Sequence, residues 1–307
     1  MSYGGIVKNI IYSIYIKDND KQKLWPSLVK LTIDRHQFTK LQFKKHYQKL
    51  LNVKKDCAKN CNAEFRLYGN DITWQKFKKK YSGYQFDTIN LYKIHLWEKL
   101  GMEYDNVLYL DFDVIPNTTE SFFETFDMNS ICVHSIDSTK ENIWHPSLLK
   151  NYAIREKSFE DVMNYMDRYN MYIKAMCKKA MLAIDNNFDT NYLIPNTAIL
   201  GGNSNIIKKL KFTERLDDMI TILNQAKEEE FFGTSISKLF FPNNEVFFQY
   251  LLDKYKIKWY NLPYEWHTYL LEAGGKIFND EISKETISKA KLIHLINKRF
   301  EELWKVL

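Results

Sequence analysis

Residues 106–117, Asn-Val-Leu-Tyr-Leu-Asp-Phe-Asp-Val-Ile-Pro-Asn, constrain the fold more than any other part of the chain. The unbroken apolar run Val107–Leu110, flanked by polar sequence, reads as a strand buried on both faces of a parallel sheet. Asp111 and Asp113 then stand at its carboxyl end, where open α/β sheets place their ligands. Two acids a few ångströms apart resist joint ionisation. A divalent cation removes that conflict, and Mg²⁺ or Mn²⁺ prefers such hard oxygen donors. The blander alternative is a carboxylate pair that caps the next helix. Asp18-Asn19-Asp20 repeats the spacing, but it lies between Lys17 and Lys21 with no apolar run before it, and reads as a solvated loop.

The rest of the chain bounds what such a site can serve. At 307 residues with no repeat, low-complexity tract or linker, one continuous α/β domain is the economical reading. Aromatic residues make up 15% of the chain, a high share; some will be core, but sugar- and base-binding clefts also use such side chains. The net charge of +6, carried mostly by lysine, suits anionic or polyphosphate substrates but falls short of a nucleic-acid footprint. Cys57 and Cys61 are four apart on a possible helix, yet no second pair completes a zinc site. Together with Cys132 and Cys177 they read as free thiols of a reducing compartment. The N-terminus lacks a signal-peptide pattern, and no apolar run approaches the ~20 residues that span a bilayer, so a soluble, cytoplasmic protein is expected.

In chain order, Ile6–Ile16 reads as the first strand, with Tyr12 and Ser13 near an end that leads into a loop able to touch a ligand. Residues 24–55 form a basic helix with Leu24, Leu28, Leu31, Phe38, Leu41 and Leu50 inward and lysines on a solvated face. Ala63–Tyr68 is a second strand, followed by Gly69-Asn70-Asp71, where Asp71 either caps the next helix or holds a base or ribose. Asp87–Leu100 is a helix stopped by Gly101, and its Lys93 faces either phosphates or solvent. Ser130–Ser135 is a further strand candidate, and Trp144-His145-Pro146 follows in a loop. The methionine-rich stretch 150–185 reads as helical, an inserted lid or an oligomer contact.

Asn196-Thr197-Ala198 is expected to precede a short strand, with Gly201-Gly202 as a turn or a point of close ligand approach. Asn244-Glu245 opens an aromatic helix, Ile257–Leu262 is a late strand, and Lys291–Lys298 is a terminal strand carrying His294. A lone histidine in an apolar strand is commonly a hydrogen-bonded core residue, but the upstream acid pair makes His294 a ligand candidate. His36, His46, His95, His134, His145 and His267 show no comparable partners.

The series Tyr-Leu-Asp-Phe-Asp-Val, Pro-Asn-Thr-Ala-Ile-Leu, an Asn-Glu helix and a late Ile-His-Leu resembles nucleotide-sugar glycosyltransferases of the A-type (GT-A) fold. Within these it is most similar to the glycogenin-like and lipopolysaccharide galactosyltransferase-like families. The resemblance implies a single α/β domain with a mixed, mostly parallel sheet. Residues 1–135 would form a nucleotide-binding half, and 190–307 an acceptor-binding half with the C-terminal metal-ligand segment. It implies Asp111, Asp113 and His294 as ligands of Mn²⁺ (or Mg²⁺), with Tyr12, Ser13, Asp71, Lys93, Phe112 and Lys298 around a nucleoside-diphosphate sugar, uridine being the expected base and guanosine the alternative. Asn196 and Glu245 take the catalytic places beside the sugar, the acceptor is a glycan or other hydroxyl, and the anomeric configuration is retained. The chain departs from the family pattern with Asn297-Lys298-Arg299 in place of Gly-Lys-Pro-Trp, Thr197-Ala198 for Ser-Gly, and Asn244-Glu245 for Asp-Gln.

Two rivals stand beside this reading. A haloacid-dehalogenase-like phosphatase would use Asp111 as nucleophile and Asp113 as general acid, with Asp217-Asp218 as a second acid pair. A non-catalytic binding module would keep the fold and use the methionine-rich helices for a partner.

Overall fold

The computed structural model describes residues 7–17, 29–81, 88–135, 185–187, 195–225, 230–231, 234–235, 244–270, 282–296 and 298–307. The expected loop at 144–146, the Asp18-Asn19-Asp20 copy and the methionine-rich stretch up to residue 184 lie outside them. Strands β1 (Asn9–Ile14), β2 (Ala63–Tyr68), β3 (Asn106–Leu110), β5 (Ile131–Ser135), β6 (Pro195–Asn203) and β9 (Trp259–Asn261) form one sheet in the order β2-β1-β3-β6-β5-β9. A second sheet joins β4 (Val114–Pro116) to β11 (Leu292–Leu295) and β10 (Thr268–Leu270), and β7 (Glu230–Phe231) pairs with β8 (Thr234–Ser235).

Pairings β1–β2, β1–β3 and β5–β9 are parallel, whereas β6 runs antiparallel to both β3 and β5. The architecture is thus a mixed, mostly parallel α/β sheet flanked by helices. The purely parallel setting expected for Val107–Leu110 is corrected on one side, because β6 is an antiparallel neighbour. An apolar run reports that both faces are covered; strand direction is set by the partner.

Period-two alternation decides what each face meets. Ile10, Tyr12, Val107 and Tyr109 share a cluster with Trp74 and Phe77 of α2 (Ile72–Tyr81) and with Tyr92 and Trp97 of α3 (Thr88–Leu100). Ile11, Leu108 and Leu110 share another with Cys57, Ala58 and Cys61 of α1 (Val29–Asn60). Cys57, Cys61 and Cys132 are buried and free. No described helix is long and apolar enough to cross a membrane.

Three expectations change. Helix α1 packs from Phe43 onward, with Leu50 fully buried, while Phe38 and Leu41 are exposed, Leu41 at 63%. The helix has 32 residues, and at ~1.5 Å per residue it outruns the short strands beneath it. Lys54 is fully buried, against the solvated lysine face. Asn196-Thr197-Ala198 and Gly201-Gly202 all lie inside β6. The glycines make no turn: a Cβ on Gly201 would sit 2.5 Å from Phe122 Cε1, and one on Gly202 would sit 3.1 Å from Trp97 Cζ2. Aromatic rings occupy the space that side chains would need.

Helix α3 also carries a titrating group away from the site. His95 Nδ1 lies 2.8 Å from Thr213 Oγ1, and burial pushes its imidazole down to about 4. Between that value and the unfolded one near 6.5, only the unfolded chain takes up the proton, so acid removes stability across this window. The expected loss between pH 7 and pH 5 is about 2 kcal/mol. Denaturant melts of a His95→Gln variant should show a correspondingly flatter pH dependence.

Candidate metal and nucleotide site

Strand β3 ends where its apolar run ends, and the chain turns at once. Asp111 N–H donates to Ala198 C=O at 2.8 Å, still in line with β6, and Val114 N–H closes back on Asp111 C=O at 2.9 Å. The four residues 111–114 therefore form a tight turn that passes the chain from the main sheet into β4 of the second sheet. Phe112 sits within the turn and stacks on Tyr15, its ring centroid 4.7 Å away, among Phe43 and Tyr47. Burying that ring anchors the turn that carries the two carboxylates.

Strand β11 brings the third group. His294 is paired with Val114 across the antiparallel β4–β11 ladder, and Leu295 N–H donates to Asp113 C=O at 3.1 Å. His294 Nε2 lies 3.4 Å from Asp113 Oδ2. One ligand atom from each of Asp111, Asp113 and His294 falls within 4.8 Å of the others, close enough for small side-chain adjustments to close on one ion. The donors are two carboxylates and an imidazole, a set that suits Mn²⁺ or Mg²⁺ better than a thiophilic metal. Asp111 retains 26% side-chain exposure, whereas Asp113 and His294 have 8% each, so the group opens on the Asp111 side.

Cations crowd this acid pair. Lys298 Nζ donates to Asp113 Oδ2, and Lys93 Nζ is 3.6 Å from Asp111 Oδ2. Lys54 Nζ donates to the carbonyls of Asp111, at 3.0 Å, and of Val114, holding both ends of the turn. Burial pushes the Lys54 ammonium down to about 8, with Asp113 and Asp111 opposing the fall. Burial alone would raise the Asp113 carboxyl, but Lys298 and His294 hold it well below the usual carboxylate range. Tyr109 Oη donates to Asp111 Oδ1, and burial together with that carboxylate keeps the phenol protonated. Lys93 and Lys298 thus face the two carboxylates, while the buried Lys54 lies behind the turn on its carbonyls.

The remaining sequence candidates fall into three positions. Tyr12 and Ser13 are fully buried, with their hydroxyls on Lys93 C=O and Leu110 C=O. Asp71 accepts the Trp74 N–H at 2.9 Å, the capping geometry of its two alternatives. Asn196 and Glu245 come together: Asn196 Oδ1 accepts from Ala198 N–H at 3.0 Å, and Glu245 Oε1 accepts from Thr197 N–H at 3.1 Å. Asn244 Nδ2 reaches Thr197 Oγ1 at 2.9 Å, docking the helix Asn244–Lys254 onto β6 next to Asp111. Asp217, which the phosphatase reading needs near Asp111, instead accepts from Lys80 and Tyr81 at an exposed helix.

Two residues of this neighbourhood were missed from sequence. Lys54 looked like one more lysine on a basic helix; only its i+3 and i+4 neighbours, the apolar Cys57 and Ala58, hint at an inward face. His267 lacked any apparent partner, yet its Nε2 lies 3.2 Å from His294 Nδ1.

A search of solved structures finds glycosyltransferases matched along most of this chain. One is a glycosyltransferase involved in glycosylation of the major capsid of PBCV-1, 9% identical with a TM-score of 0.41, covering 96% of this chain and 97% of that one. The galactosyltransferase LgtC, in complex with donor and acceptor sugar analogues, is 12% identical with a TM-score of 0.42 and coverage of 97% and 96%. Mouse xyloside xylosyltransferase 1 is 10% identical with a TM-score of 0.36 and 76% coverage of each chain. No protein-family model matches the chain, and no curated protein matches its sequence. Likenesses of this size leave the function to be read from the geometry.

Proposed function

We propose that this chain is a metal-dependent glycosyltransferase of the GT-A type, moving a hexosyl group from a nucleoside-diphosphate donor, uridine-based, to a hydroxyl acceptor. The observation that carries the reading is the convergence of Asp111, Asp113 and His294 at a strand end ringed by Lys54, Lys93 and Lys298. A bound Mn²⁺ would supply Lewis-acid stabilisation of the departing diphosphate. Asp111, Asp113 and His294 would hold the ion. Lys298 and Lys93 stand beside the carboxylates and offer cations to the phosphate oxygens as leaving-group charge develops. Lys54 ties down the backbone of the turn, so that only side-chain adjustment is left to the carboxylates. Asn196 and Glu245, bound to neighbouring N–H groups of one strand, form the polar wall assigned to the transferred sugar. Residues 1–135 then serve the nucleotide and 190–307 the acceptor, with retention of configuration.

Thermal unfolding of the protein with a panel of nucleoside diphosphates, each with and without Mn²⁺, tests the assignment. The expected result is stabilisation by UDP that depends on Mn²⁺, by about 3 kcal/mol at a hundredfold excess over the dissociation constant. Equal responses to every base, or none to metal, would count against it.

A further inference from the structure

We infer that His267 is the positioning residue of the metal-site histidine: its Nε2 accepts the hydrogen of His294 Nδ1 and so leaves the Nε2 lone pair of His294 for the ion. The inference rests on the metal reading above and adds a residue outside the ligand set. His267 stands just before β10, whose Tyr269 is paired with His294 in the parallel β10–β11 ladder. That register sets the two imidazoles side by side, with ring centroids 5.4 Å apart. Each ring nitrogen of His294 thereby has one neighbour: Nε2 faces Asp113 at 3.4 Å, and Nδ1 faces His267 Nε2 at 3.2 Å.

Only one hydrogen fits between Nδ1 and Nε2 of the two rings. A neutral histidine that presents a lone pair at Nε2 must carry its hydrogen on Nδ1. In a water-poor interior that N–H needs an acceptor, and ligating histidines are commonly oriented by such a partner. His267 fills the role at a cost that packing does not explain. It is fully buried and stacked on Tyr269, centroids 4.4 Å apart, a place where an apolar ring would sit without penalty. With Nε2 as acceptor, His267 Nδ1 carries the hydrogen and has no acceptor among the described residues, so the arrangement moves the unmet N–H from the ligand histidine to its partner. A buried polar side chain with one nitrogen unmet calls for an explanation, and the bond to His294 supplies it.

The test compares His267→Gln with His267→Met in the full chain. The two side chains are similar in length, but only the amide offers an oxygen to His294 Nδ1. Mn²⁺ binding is measured by electron paramagnetic resonance of the free ion, and folding by thermal unfolding without metal. We expect the Met variant to bind Mn²⁺ roughly tenfold or more weakly, within the 10–100-fold typical of such partners, and the Gln variant to stay within about threefold of wild type. His267→Phe substitutes for the Met variant if the latter does not fold. Equal affinities for Met and wild type, or equal losses in Met and Gln, would overturn the inference and leave the metal site standing. A wild-type protein that binds no Mn²⁺ would remove the metal reading itself, and that is seen before any variant is made.

Discussion

An Asp113→Asn variant is expected to lose Mn²⁺-dependent nucleotide binding and to transfer sugar at least ~10²–10³-fold more slowly, the kinetic equivalent of about 3–4 kcal/mol. The size follows from where the carboxylate sits. Asp113 is almost fully buried between Lys298 and His294, which together hold it ionised against the pull of burial. An amide neither balances the Lys298 ammonium nor offers the ion an anionic oxygen. Breaking a buried charge pair also costs ~3–5 kcal/mol of stability, so the melting temperature must be recorded without ligand in parallel. Asp111→Asn, at the more open carboxylate, should reproduce the binding defect with a smaller stability cost. Asp217→Asn, at an exposed helix where Lys80 and Tyr81 are the partners, should bind and turn over like wild type. Metal-dependent phosphoester hydrolysis that Asp217→Asn abolishes along with Asp113→Asn, without any response to a sugar nucleotide, would favour the phosphatase instead.

Gly201→Ala should be the most destabilising single-methyl change in the main sheet, at about 3 kcal/mol, with a fall in melting temperature of several degrees. Replacing glycine by alanine within a strand ordinarily stabilises, because it removes freedom from the unfolded chain. Here the added Cβ would lie 2.5 Å from Phe122 Cε1 and 3.0 Å from Cζ. Phe122 cannot retreat easily, since its ring packs on Phe126 at 4.8 Å and on Trp266 at 5.7 Å between centroids. Steric overlap therefore outweighs the entropic gain. Combining it with Phe122→Leu should recover part of the loss, a coupling that chemical denaturation of the four proteins of the cycle would measure. A Gly201→Ala protein that melts with wild type would show that the ring does not lie against this strand.

Local physics made much of the site legible in advance. Ala63–Tyr68, closed by the turn signal Gly69-Asn70-Asp71, is placed as a strand with its observed bounds, and Gly101 marks the end of α3 because the helix stops one residue earlier. The acid pair after Leu110 was readable because burial and charge alternate within six residues, a pattern that needs no knowledge of distant chain. Gly201-Gly202 misled because a glycine pair signals a turn when read locally, whereas its cause is the ring of Phe122 against one residue and that of Trp97 against the other.

The sequence by itself determined the central strand and the place of two carboxylates at its tip, since apolar runs and charge are properties of neighbours along the chain; His294 becomes a candidate through the distant acid pair, the basic residues after it and the family resemblance. Tertiary structure alone decided that Lys54 holds the turn from 57 positions away, that Lys298 meets Asp113 across 185, and that His267 backs His294 across 27. Those pairings depend on strand register and on how α1 lies against the sheet. Many sequences of the same local pattern would satisfy the helix and strand propensities without bringing these charges together.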